Sequence, residues 1–219
     1  EESQNKVNVV FGASSQAVSD FAKTAASDLG IARAEALEAA GNFGNMLNTV
    51  GLLPAETAKM SNELVQLAAD MASFNNQDPS EMLQKLASGL AGEAEPLRRF
   101  GVLLSENEVK LEAVRMGLAG TGQALTEAQK VQARYSLILK QSTVQHGDFA
   151  RTSGGMANSM RILRAQLTDA AATVGAELLP VLVPLVKQLG EALPDAVKKV
   201  MPWVKDLVAG FSWFVETKP

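Results

Sequence analysis

The sequence has no cysteine, one histidine and one tyrosine, and aromatic residues make up only 5% of its 219 positions. Without cysteine there is neither a disulfide framework nor a thiolate metal site, so stability rests on burial and hydrogen bonding. The lone histidine, His146, lies in the loop Gln145-His146-Gly147-Asp148. It cannot form an HExxH zinc motif, and the sequence nominates no serine and acid to complete a hydrolytic triad with it. Ser14, in Gly12-Ala13-Ser14-Ser15-Gln16, lacks the second glycine of a nucleophile elbow. Charge of one sign is also missing: 20 Lys plus Arg stand against 24 Asp plus Glu, a net charge of -4. That balance offers no broad basic face to a nucleic-acid backbone and disfavours sequence-specific nucleic-acid binding. The glycine-rich run 120–125 has Leu125 where a dinucleotide-binding loop needs its third glycine, and no strand precedes it. The sequence therefore nominates no catalytic residue, cofactor site or metal site and reads as non-enzymatic.

Abundant Ala, Leu, Glu, Gln, Lys and Met push the chain towards helix. The expected fold is all-α: a multi-helix bundle of helical hairpins with a long C-terminal helical segment and no sheet. Length allows one or two domains. The division expected is a lead-in arm over 1–12, docking Val9, Val10 and Phe11 on a neighbour, then a helical core module over 13–150. Long C-terminal helices over 151–219 follow, bent near Gly175 and Pro180 and again at Pro202. A first residue Glu1 and an abrupt end at Glu216-Thr217-Lys218-Pro219 read as a segment of a longer protein.

Local punctuation places the helices. Val18, Ala22, Ala25 and Leu29 recur at helical spacing after Ser14 or Ser15, and Gly30 supplies a left-handed stop. Leu37, Ala40, Phe43, Leu47 and Val50 repeat the pattern before Gly51, with Gly41 and Gly44 expected to weaken the middle. Pro54 opens a helix with one apolar stripe, Met60, Leu64, Leu67, Met71 and Phe74. Asp78-Pro79-Ser80-Glu81 is a capping box for a helix over 79–90 that buries Leu83, Leu86 and Leu90. Leu97 and Phe100 pack in a short element after it, with Glu95 paired on one face to Arg98 and Arg99. Further capping boxes at Ser105-Glu108 and Thr126-Gln129 open helices near 106–117 and 127–142.

Past Ser153, Met156, Met160, Leu163, Leu167, Ala170 and Val174 alternate steps of four and three, the spacing of a coiled-coil seam. One extra step of four then leads to Leu178, Leu182, Leu185 and Leu189, a stutter beside Gly175. Continuous from 153 to 190, this helix would reach about 57 Å. Residues 178–186 carry no charge, but Glu177 and Lys187 bracket a run shorter than the roughly 18 residues of a membrane span. The tail, with Trp203, Phe211 and Trp213, reads as a partner-binding or interfacial surface. The packing and interaction residues nominated are thus Met60, Leu64, Leu67, Met71, Phe74, Leu97, Phe100, Leu163, Leu167, Leu182, Trp203, Phe211 and Trp213.

Several of these stretches share wording and order with a known family. The segment 70–102 carries Ser73-Phe74, Ser88-Gly89-Leu90, Gly92-Glu93, Glu95-Pro96-Leu97 and Phe100-Gly101-Val102. Gln132-Ala133-Arg134-Tyr135 follows with Ile138-Leu139, then Gly147-Asp148-Phe149-Ala150, Asn158, Arg161, Leu163, and Gly175 through Leu178-Leu179-Pro180. This ordered set resembles the core domain of phage tail tape measure proteins over about residues 12–190. The resemblance implies a structural protein of the tail lumen of a long-tailed phage or prophage, present in the host cytoplasm during assembly. Such proteins template tail-tube length and leave ahead of the genome. Expected partners are other tail proteins (tube, tip or baseplate, assembly chaperones) and further copies of the chain, with host-membrane contact during ejection as the alternative role. The ruler itself is expected elsewhere, because one straight helix of this chain would measure roughly 330 Å while its caps fold it back on itself.

Overall fold

A computed structural model describes residues 2–192, 201–203 and 205, and among them it contains helices and no strand. The all-α expectation holds. In chain order the helices are α1 (Glu2–Phe11), α2 (Ser15–Leu29), α3 (Arg33–Thr49), α4 (Pro54–Phe74), α5 (Pro79–Ala91), α6 (Glu95–Arg98), α7 (Glu106–Arg115), α8 (Glu127–Gln141), α9 (Asp148–Thr152) and α10 (Met156–Ala192). The chain divides into two compact units, residues 1–165 and 166–219.

In the first unit α4 is the central element, packed against α1, α2, α3, α5 and α9. Leu64, Val65, Leu67, Ala68, Ala69, Asp70, Met71 and Ala72 are all buried, so this helix is enclosed on nearly every side rather than along one stripe. Small side chains make that possible, because Ala68, Ala69 and Ala72 let neighbouring helices approach closely. Pro54 sits in the first turn, where a missing N–H costs nothing. The helix closes with Asn76 in the left-handed conformation (φ 49°). Gln77 N–H then donates to Ala72 O at 2.8 Å and Asn76 N–H to Ser73 O at 3.2 Å, the paired bonds of a Schellman ending.

The arm expected over residues 1–12 is instead helix α1, running along α3. Val7 and Phe11, four residues apart, are fully buried, whereas Val9 is 77% exposed. Of the expected run Val9-Val10-Phe11, Phe11 is buried and Val10 packs half-buried against the core, and Val9 turns outward because helical spacing places Val7 beside Phe11 instead. The glycines expected to weaken α3 form the seat for this packing. A Cβ added at Gly44 would lie 2.3 Å from the Phe11 ring and 2.8 Å from Val10, so no larger residue fits there. Asn48 Nδ2 donates to Val10 O at 2.6 Å and ties down the end of α1.

Side-chain caps open α5, α7 and α8, whereas Ser14, expected to cap α2, makes no side-chain cap bond because a short 3₁₀ turn over Gly12–Ser14 leads into that helix. Asp78 accepts from Ser80 N–H at 2.9 Å and Glu81 N–H at 3.4 Å, while Glu81 pairs forward with Lys85 rather than back to the cap. Ser105 accepts from Glu108 N–H. Thr126 and Gln129 form a reciprocal box, with Gln129 also reaching Leu118 O across the preceding loop. α7 and α8 pack as a hairpin around Glu112, a carboxylate 4% exposed that receives Arg115, Ser136 and Lys140.

Helix α10 runs unbroken over 37 residues, through Pro180 and Pro184. The helix therefore does not end at Pro180 or Pro184. Each proline withholds one backbone N–H, leaving the carbonyls of Ala176 and Pro180 without their usual intrahelical donor. With Glu177 counted inside it, the apolar run is no longer too short to span a bilayer. The stretch Met156–Val186 contains an 18-residue window of mean hydropathy 1.5, long and apolar enough to cross a bilayer, and none of that window is buried. Residues 201–203 and 205 are helical with Trp203 77% exposed, while Phe211 and Trp213 lie outside the described residues, as does most of the surroundings of the bend expected at Pro202.

Candidate functional site: a polar junction at the root of α10

The C-terminal turns of α4 present Asp70, Ser73, Asn75 and Gln77, and each of them holds a residue between 145 and 161. Asp70, 3% exposed, accepts Gly147 N–H at 2.8 Å on one carboxylate oxygen and Phe149 N–H at 3.1 Å on the other. These are first-turn N–H groups of α9 and its cap, which have no intrahelical acceptor. The acid thus caps α9 from another helix, and a carboxylate beside a helix N-terminus is also favoured by the helix dipole.

Ser73 donates to Asp148 Oδ2 at 2.6 Å and lies 3.0 Å from Thr152 Oγ1. Asn158, 3% exposed in the first turn of α10, donates to Ser73 Oγ and to Thr152 Oγ1, each at 2.8 Å. Its carbonyl oxygen accepts from Arg161, whose other amino group donates to Gln77 O at 2.9 Å. Burial pulls the Arg161 guanidinium below its ordinary pKa, and Asp78 nearby partly opposes that shift. Asn75 donates to Gln145 Oε1 at 3.0 Å, and the buried Gln145 amide donates to Phe100 O at 3.1 Å. Arg99 bonds Gln77 Oε1 at 3.0 Å and stacks 4.6 Å over the Phe100 ring.

Backbone geometry completes the junction. Gly30 ends α2 at φ 64°, a left-handed conformation that side chains with a Cβ resist, and an added Cβ would sit 2.8 Å from Arg161 Cβ and 3.0 Å from the Phe149 ring. The first turns of α10 therefore rest on the end of α2, and Ala165 packs with Ala26 and Ala32.

The helix that emerges has two faces. Asn158, Arg161, Ile162 and Ala165 face the first unit, whereas Met156, Met160, Leu163 and Leu167 are 82%, 38%, 49% and 57% exposed. Of the nominated residues, Leu64, Leu67, Met71, Leu97 and Phe100 are buried in the core, Met60 is half-buried against it, and Phe74, Leu182 and Trp203 are exposed. The junction polar residues were not nominated from sequence. The available signal was Asp70 itself, a charge flanked by Ala68, Ala69, Met71 and Ala72.

Two further concave surfaces lie in the first unit. One, of about 670 Å³, lies between α7, α8 and the glycine-rich loop. Its Lys110 pairs with Glu106 at 3.1 Å, Lys130 with Glu127 at 2.6 Å, and Arg134 donates to Leu90 O and Ala91 O. The other, about 650 Å³ between α2, α4 and α8, borders the junction at Asp70 and Gly147 and is lined besides by Phe21, Asn62, Leu67, Leu139 and His146, with Asn62 Oδ1 buried and lacking a hydrogen-bond partner. Glu63 at its edge accepts the Tyr135 hydroxyl, whose pKa is raised by burial and by that carboxylate. His146 Nε2 lies 3.0 Å from Ser142 Oγ, but Ser142 is fully buried and directs its proton to Ile138 O at 2.7 Å, so this pair offers no accessible nucleophile. No group of three or more potential metal-ligating side chains occurs among the described residues.

Comparison with known protein families, with curated proteins and with solved structures returned no match to this chain.

Proposed function

We propose that this chain is a segment of a tape measure protein from the tail of a long-tailed phage or prophage, contributing a compact helical module to tail assembly rather than the ruler. One observation carries the reading. Ser73, Gly147-Asp148-Phe149, Asn158 and Arg161, all part of the ordered resemblance, lie up to 88 positions apart in the sequence and are linked through hydrogen bonds at one junction. A resemblance confined to unrelated helix caps would have scattered over the surface. In this role the module anchors the root of α10 and presents the exposed Met156, Met160, Leu163 and Leu167 seam to tail proteins or to further copies of the chain. Its place would be the tail lumen, after assembly in the host cytoplasm.

Coexpression with a tail-tube subunit from the same phage or prophage tests the reading. The expected result is tubes that retain the chain through purification, with retention reduced by Leu163→Lys plus Leu167→Lys. Tubes that form equally well and exclude the chain would overturn it.

A second reading, a membrane-active segment acting during genome delivery, is favoured by the unburied apolar window of α10. Dye release from lipid vesicles separates the two: no release at any protein concentration would sink the second reading and leave the first standing.

A further inference from the structure

We propose that residues 170–186 form a bilayer-inserting helix whose entry is controlled by the charge of Glu177. This rests on the membrane-active reading and names the residue that would regulate it.

Heptad spacing from Met156 to Val174 places the next core position at 177, where the sequence has glutamate instead of an apolar residue. A coiled-coil seam therefore breaks there. Beyond it the helix changes character: Leu178, Leu179, Val181, Leu182, Val183, Leu185 and Val186 are each 40–65% exposed, with prolines at 180 and 184 between them. Nine consecutive residues complete about two and a half turns, so this stretch is apolar all round rather than along one face. A partner helix needs one stripe. A surrounding hydrocarbon phase accommodates every face, and it is the occupant we commit to.

Length and flanks agree. Residues 170–186 span about 26 Å against about 30 Å for a bilayer core, a mismatch that local thinning and extended flanking side chains accommodate. Asp169 precedes the run and Lys187 follows it, marking its two polar boundaries. Within the run Glu177 is the single charged residue, one position from the midpoint and exposed. Its nearest charged neighbours along the helix are Asp169 and Lys187, eight and ten residues away, so no cation on the same helix is within reach to neutralise it. An ionised carboxylate at the bilayer centre opposes insertion most strongly, whereas the protonated acid is far less costly there. The charge at Glu177 thus holds the helix out of the bilayer, and a neutral side chain at that position admits it.

The test is flotation of the full 219-residue chain with neutral phosphatidylcholine vesicles at about pH 7.5. Trp203 and Trp213 fluorescence gives a second readout. The expected result is at least about a tenfold higher bound fraction for Glu177→Gln than for the parent, with Glu177→Lys staying unbound. Circular dichroism of each variant separates loss of binding from loss of fold. Equal binding of parent and Glu177→Gln overturns the role of Glu177 and leaves the membrane reading intact. No binding by either protein overturns both. Self-association in lipid-free buffer that is abolished by Leu182→Lys, with no binding to vesicles, assigns the apolar surface to a second copy and overturns the proposal.

Discussion

Asp70, enclosed near the C-terminal end of α4, accepts the backbone N–H of Phe149 at 3.1 Å across 79 residues of chain. With the companion bond from Gly147, this carboxylate supplies acceptors for two otherwise orphaned N–H groups and fixes the start of α9. Asp70→Ala is expected to lower the unfolding free energy by about 2–3 kcal/mol, because the buried Phe149 N–H and the half-buried Gly147 N–H both lose their acceptor. Denaturant titration measures the loss, and hydrogen exchange should quicken first at the Gly147 and Phe149 amides. An unchanged midpoint would mean that water takes over both bonds.

The two glycines on the α3 face under α1 should respond unequally to the same substitution. At Gly44 a methyl group would overlap the Phe11 ring and Val10, both packed side chains, so Gly44→Ala is expected to cost about 1–3 kcal/mol by displacing α1. At Gly41 the nearest atom is Lys6 Cδ at 3.2 Å, on a flexible side chain. There the helix-propensity gain of up to about 1 kcal/mol offsets the contact, and Gly41→Ala should fall near neutral. Equal losses at both positions in thermal unfolding would contradict this assignment.

Much of the helical framework was legible because its signals are local. Asp78-Pro79, Thr126 with Gln129, and Gly30 each act within a few residues of themselves, so reading them needs no partner. The junction was not legible, because Asp70 and Asn158 are meaningful only once α4 and the root of α10 meet. In α4 the apolar stripe marks Leu64, Leu67 and Met71 but not Ala68, Ala69 and Ala72, whose burial reflects several neighbours at once. In α1 the contiguous valines drew attention to Val9, while the fold uses Val7 and Phe11. Gly44 carried the same ambiguity: a helix weakener in isolation, a contact seat in the packed unit.

Thr57 and Ser61, one turn apart in α4, are fully buried, and neither hydroxyl has a hydrogen-bond partner. Burying an unpaired hydroxyl costs free energy that an apolar replacement of similar shape avoids. Thr57→Val and Ser61→Ala are each expected to be neutral or to stabilise by up to about 1 kcal/mol. Chemical denaturation of the two variants and their combination decides it. A clear loss in both would place an ordered water between the hydroxyls.

Glu35 gives the fold a pH dependence with a definite sign. Burial raises its pKa above the ordinary carboxylate value, Asp78 and Glu38 add to the rise, and the hydrogen bond from Ser80 opposes it. Between the unfolded value near 4.5 and the raised folded value, the native state holds more of the proton than the unfolded chain does. Stability contributed by this group therefore falls as pH rises through that window, and at neutral pH the ionised carboxylate is a net cost. Glu35→Gln keeps an acceptor for Ser80 and removes the charge. The variant should match the parent below about pH 4 and exceed it at neutral pH, with the difference growing across the interval between. Melting temperatures of both proteins measured over that range test the linkage, and a difference that does not vary with pH would assign the effect to packing rather than to charge.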